Sequence, residues 1–105
     1  MLRIYPVSLA MVAEVTPYVE RIGRRDRDLG RQLRKASTAV PLNLAEGSGN
    51  RGGRRRNSYD IALGEAIETL ACLDAALSTG YIHAIAPTLR RKLDHIIGTL
   101  INILH

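Results

Sequence analysis

QLRKASTAVPLNLAEGSG, residues 32–49, carries Leu33, Ala36, Val40 and Leu44 at the three-and-four spacing of one helical face. A proline, Pro41, sits inside that pattern, and two polar residues, Asn43 and Glu46, follow it. Proline removes one backbone donor and kinks or breaks a helix. The spacing therefore predicts an amphipathic second helix that begins after Arg24 to Asp28, is kinked at Pro41, and is stopped by Gly47 and Gly49. Asn43 has both donor and acceptor to repair the ladder near Ser37 or tie it to a neighbouring helix, and Glu46 can accept from an arginine or a backbone amide. A structural role is the expectation for both, since buried polar groups are normally paired.

Outward from this stretch the same period organises the chain. Ile4, Val7, Met11, Val15, Val19 and Ile22 form a first stripe, with Pro6 acceptable in its first turn, Pro17 expected to interrupt it and Gly23 to end it. Tyr59, Leu63, Ala66, Leu70, Leu73 and Leu77 form a third, expected to start at Asn57 or Ser58 and to stop at Thr79-Gly80. A fourth begins near Pro87 and places Leu89, Leu93, Ile96, Ile97, Leu100, Ile101 and Leu104 inside. No segment alternates as a half-buried strand does. The expected fold is all-α, one antiparallel up-down four-helix bundle over residues 1–105.

Composition narrows the functional classes. The 105 residues suit one domain, and without Trp or Phe the core must be aliphatic with some tyrosine. Of the 15 cationic residues all but Lys35 and Lys92 are arginine, and the formal charge of +5 favours polyanionic partners. The lone cysteine, Cys72, lies among Leu70, Ala71 and Leu73 and reads as a packing residue. Neither a signal peptide nor a run long enough to span a bilayer is evident, so a cytoplasmic protein without membrane association is expected. Bundle metal sites use Glu-x-x-His pairs, which this chain lacks; no metal, cofactor or catalytic residue is assigned. Arg90 and His95 have a spacing that suits phosphate chemistry in helical ribonucleases, and this metal-independent nuclease is the alternative function. His83 and His105 have no evident partners.

Two features remain. Ile61, Ile67, Ala71 and Ala75 on helix three, with Ile103 on helix four, exceed what one core stripe needs, and helices apolar on two sides are buried on two sides. A second subunit is the expected cover. Asn50 to Arg56 reads as a glycine- and arginine-rich connection whose Arg51, Arg54, Arg55 and Arg56 stand where the helix dipole disfavours cations. Stability gives no reason for them, whereas phosphate binding does, with Arg31, Arg34 and Lys35 extending the patch. Sparse aromatic residues favour backbone contacts, to DNA or RNA, over base stacking.

The residues Gln32, Ala36, Pro41, Asn43, Ala45, Glu46 and Gly47 resemble the Q-x-x-x-A-x-x-x-x-P-x-N-x-A-E-G pattern of the bacterial four-helix-bundle family first noticed in intervening sequences of 23S ribosomal RNA genes. The likeness runs from Asp26 to Ile82, through Ile61-Ala62-Leu63-Gly64, Glu68-Thr69 and Gly80-Tyr81-Ile82. It departs at Glu65, where a serine is common, and at Gly23, where a proline is. That family includes the accessory variability proteins of diversity-generating retroelements. The resemblance implies a non-enzymatic homopentamer that binds nucleic acid, with a reverse transcriptase as a further partner. A purely structural oligomeric scaffold is the other non-enzymatic reading.

Overall fold

The computed structural model describes residues 1–105 and consists of four helices: α1 (Ile4–Arg25), α2 (Arg27–Gly49), α3 (Gly52–Ser78) and α4 (Pro87–Leu104). Each packs on its neighbours in the order α1, α2, α3, α4 and back to α1, giving the expected up-down bundle, about 42 Å long. The α2–α3 connection and the C-terminus of α4 therefore share one end, and the α1–α2 and α3–α4 connections share the other.

Ile4, Met11, Val15 and Ile22 of α1 meet Leu33, Val40 and Leu44 of α2, with Ala62, Leu63, Ala66 and Leu73 of α3 and Leu89, Leu93, Ile96 and Leu100 of α4. Fully burying such aliphatic side chains stabilises by about 1.5–3 kcal/mol each. The buried hydroxyls of Ser8, Ser37 and Thr69 donate to carbonyls of their own helices, at Tyr5, Arg34 and Glu65. Small polar residues thus enter the core without an unpaired group.

Several boundaries differ from expectation. Helix α1 runs through Pro17 and past Gly23. Pro17 lies on the solvent face, where the forfeited hydrogen bond is hydrated, while Val15 and Ile22 hold the helix from inside. The helix ends instead at Asp26, whose extended backbone turns the chain and whose Oδ1 accepts from the Leu29 amide at 3.0 Å, capping α2. Gly30 serves packing: a Cβ there would come within 2.8 Å of the Gly23 Cα, so its missing side chain permits close contact of α1 and α2, whereas a Cβ on Gly23 itself would meet nothing within 4 Å.

Helix α2 is continuous through the buried Pro41. Asn43 Nδ2 donates to the Ala39 carbonyl at 2.8 Å, within its own helix rather than across to a neighbour. Gly47 lies inside α2 rather than stopping it, because the Tyr59 ring occupies the position its side chain would need; an added Cβ would lie 2.3 Å from a ring carbon. Helix α3 begins at Gly52, several residues before Asn57. The positive φ of Gly52, +55°, lets the chain reverse directly after Asn50 and Arg51, so Arg54 and Arg55 belong to the first turn of α3 and Arg56 to the start of its second, and none to a loop. Leu77 and Ile101, expected in the core, are exposed at the edges of their stripes.

The α3–α4 connection is tied at both ends. Tyr81 and Ile82 amides donate to the Ala76 carbonyl after Gly80 at φ +80°, Ile82 is buried, and the Ala86 amide donates to the Tyr18 hydroxyl at 2.9 Å.

Candidate nucleic-acid interface

Antiparallel packing brings four helix termini to one end of the bundle: the N-termini of α1 and α3 and the C-termini of α2 and α4. The last carbonyls of a helix lack intrahelical donors and carry the negative end of its dipole. Arg55 Nε donates to the Gly47 carbonyl at 3.2 Å and to that of Asn50 at 2.9 Å, closing the end of α2. Arg56 donates to the Leu104 carbonyl and closes α4. These two arginines therefore do have a stabilising reason for their position. They are disfavoured by the dipole of the helix that carries them and favoured by the two that end beside it.

Arg51 and Arg54 are different. Both are exposed and neither forms an ion pair. Arg51 is the residue preceding α3 and offers no side-chain cap, leaving the amides of the first turn open. Arg54 enters a depression of about 260 Å³ lined by Glu46, Asn50, Arg54, Asn57 and Ser58, all of them hydrogen-bonding residues. None of these five side chains is hydrogen-bonded within the chain. Glu46 is exposed here and accepts from neither an arginine nor an amide. Asn50 belongs to this site without having been legible in the sequence, and Asn57 was legible only as a helix cap. The spacing of Glu46, Asn50, Arg54 and Asn57 becomes suggestive only once α3 is known to start at Gly52.

Arg31, Arg34 and Lys35 do not extend this patch. They project from α2 roughly 20–27 Å before its end, at a rise of 1.5 Å per residue. Arg31 pairs with Asp28 at 2.8 Å. Lys35 faces Glu65, whose carboxyl is pushed above the ordinary range by burial and by neighbouring Glu68, against the opposing effect of the Lys35 charge. Gln32 Nε2 donates to Glu68 Oε1 at 3.3 Å, so this residue ties α2 to α3. The opposite end of the bundle holds a second, unforeseen set of exposed arginines, Arg21, Arg24, Arg25 and Arg27, with Arg25 stacked 5.4 Å from the Tyr81 ring centre.

The Arg90 and His95 pair is not brought together. Five residues along a helix turn through about 140° beyond a full circle, and Arg90 is directed to Asp74 of α3 at 3.1 Å. His95 instead borders a shallow groove with Val7, Thr88, Arg91 and Lys92. Lys92 and Thr88 both donate to Glu14 of α1, and the Lys92 bond is the main reason that the Glu14 carboxyl sits below its usual range. Cys72 is buried, and burial followed by the charges of Glu68 and Glu65 pushes its thiol upward, away from nucleophilic use. No cluster of three or more His, Cys, Asp or Glu could hold a metal ion, and no helix is long and apolar enough to cross a membrane.

A four-helix bundle with these termini places the chain in a defined class. Residues 1–102 match the 23S rRNA-intervening sequence protein family, and the chain belongs to that family. Its fold is similar to the crystal structure of a protein of unknown function from the S23 ribosomal protein family of Bacteroides thetaiotaomicron VPI-5482. The TM-score is 0.80 at 20% identity, over 96% of this chain and 97% of that one. No curated protein matches the chain.

Proposed function

We propose that the protein is a non-enzymatic, homo-oligomeric bundle that binds nucleic acid through phosphate contacts at the α2–α3 end. The observation that carries this reading is the pair Arg51 and Arg54, which are exposed, unpaired and adjacent to the open amides of α3. Guanidinium groups and free helix-start amides suit phosphate oxygens and distinguish no sequence. Arg55 and Arg56 contribute positive potential while their hydrogen bonds hold the α2 and α4 ends in place. Arg31, Arg34 and Lys35, remote from this end and partly offset by Asp28 and Glu65, are assigned a secondary electrostatic part.

Self-association is supported by the outer faces of α3 and α4. Ile61, Ile67 and Ile103 are 45%, 48% and 42% exposed, and Ala71 and Ala75 lie open between Ile67 and the end of α3. The Asp74–Arg90 pair and the Arg56 bond to Leu104 set α3 and α4 antiparallel, which brings Ile67 level with the turn containing Ile97. An apolar face spanning two helices fits another copy, and the pentamer follows from the family resemblance alone. Repeating the arginines around an oligomer multiplies weak contacts.

The test is a pair of variants measured against a labelled duplex at low salt. Arg51→Ala with Arg54→Ala weakens binding at least tenfold while leaving the mass in solution unchanged; Arg31→Ala, Arg34→Ala and Lys35→Ala together weaken it by less. Equal losses from the two sets would remove the assignment to the α2–α3 end.

A further inference from the structure

We infer that the depression between the end of α2 and the start of α3 selects RNA over DNA, with Glu46 accepting a hydrogen bond from a ribose 2′-hydroxyl while Arg54 takes the adjoining phosphate. The inference rests on the nucleic-acid reading above and adds the class of nucleic acid to it. Its starting point is a mismatch of charge. Glu46 stands in the same depression as Arg54, exposed and without a partner, in the part of the surface that would meet a polyanion. Beside a phosphate an unpaired carboxylate is repulsive, and ionised carboxylates only accept hydrogen bonds. Opposite a hydrogen-bond donor the same carboxylate becomes favourable.

The chemistry of the two backbones then decides. A DNA backbone consists of phosphate and sugar oxygens that accept, and it has no hydroxyl donor along its length. An RNA backbone carries a 2′-hydroxyl at every residue, next to the phosphate, and this group is the donor by which proteins distinguish the two polymers. In duplex RNA these hydroxyls line a wide, shallow groove that a surface depression can approach. The remaining lining fits such a contact. Asn50, Asn57 and Ser58 present amide and hydroxyl groups that can donate or accept, none engaged within the chain, and no apolar side chain shares the depression. A volume of about 260 Å³ accommodates a sugar and its phosphate rather than a flat base stacked on an aromatic ring, which the site does not provide.

Three duplexes of identical sequence test this: RNA, DNA, and RNA carrying 2′-O-methyl groups, built from A·U or A·T pairs so that no guanine amino group offers a donor in the minor groove. The wild-type protein is expected to bind RNA about tenfold more tightly than DNA, the effect of one charge-assisted hydrogen bond. The 2′-O-methyl duplex keeps the A-form shape but lacks the donor, and it is expected to bind as weakly as DNA. Glu46→Ala is expected to weaken RNA binding and strengthen DNA binding, so that the preference disappears. Glu46→Gln, which keeps an acceptor, is expected to retain part of it. Equal wild-type affinity for RNA and DNA, 2′-O-methyl RNA binding like RNA, or a preference surviving Glu46→Ala would each overturn the inference while leaving phosphate binding intact. Absence of binding to all three duplexes would overturn both.

Discussion

Gly47 shows how one residue's meaning changes between sequence and structure. In the sequence it reads as a helix stop, because glycine commonly ends helices. In the fold it lies within α2, and the reason for glycine is the Tyr59 ring pressed against its Cα. A contact between residues on different helices has no local sign, so no reading of one segment could find it. Gly47→Ala is expected to destabilise the protein by about 1–3 kcal/mol, since the ring must leave its place. Thermal unfolding checks this, and Tyr59→Leu added to Gly47→Ala should recover part of the loss. Glu65 makes a second prediction at this scale. Its carboxyl is raised in the fold, so near its titration the folded chain holds a proton that the unfolded chain has already released. Stability contributed by this group therefore falls as pH rises through the folded value. Glu65→Gln should raise the melting temperature at neutral pH by roughly 1–4 °C and by less in mild acid. A rise that is the same at both pH values would contradict this account.

At the scale of elements, periodicity was sufficient for the four helices because buried aliphatic positions recur at threes and fours in each. It failed at termini, where a few backbone angles decide. Pro17 does not break α1, because it faces solvent, an orientation that depends on the rest of the bundle and has no local sign. In the sequence Gly52 and Gly53 look like a flexible loop, whereas a single positive φ at Gly52 suffices to turn the chain and start α3 there. That difference of one turn divides the arginines. Arg55 closes the end of α2, so Arg55→Ala should lower stability by about 1 kcal/mol. Arg54, with no bond in the fold, should be replaceable by Ala without a change in melting temperature but with a loss of nucleic-acid affinity. Chemical denaturation of both variants beside their binding curves checks the division. If Arg54→Ala also unfolds early, Arg54 has a structural partner that the depression does not reveal. The α1–α4 contact predicts an acid sensitivity of opposite sign to that of Glu65. The depressed Glu14 carboxyl supplies stability that is present above its unfolded value and lost as pH falls through its folded one, and Glu14→Gln should remove that dependence.

For the whole molecule, the sequence disclosed class and charge but not the distribution of charge. Its arginines concentrate in two local runs, Arg21 to Arg34 and Arg51 to Arg56, and antiparallel packing sends the α1–α2 and α2–α3 connections that carry them to opposite ends of a 42 Å bundle. The patch expected from Arg31 through Arg56 is thereby divided, and a second set at Arg21 to Arg27 emerges. The surplus apolar residues were legible because a helix needs only one buried stripe, and Ile61, Ile67 and Ile103 do lie on the surface. Sedimentation equilibrium of the wild-type protein is expected to give a multiple of the 11.5 kDa chain, and Ile67→Glu to reduce that mass without loss of helicity. The central claim, phosphate binding by Arg51 and Arg54, is tested most directly by the salt dependence of binding to a fluorescent duplex, by anisotropy, in wild-type protein and in Arg51→Ala/Arg54→Ala. The account predicts a steep linear fall of log affinity with log salt in the wild type. In the double variant the slope should be shallower by about 2 for each subunit engaged, one counterion for each lost contact. An unchanged slope in that variant, or a wild-type protein that does not bind at low salt, would contradict it.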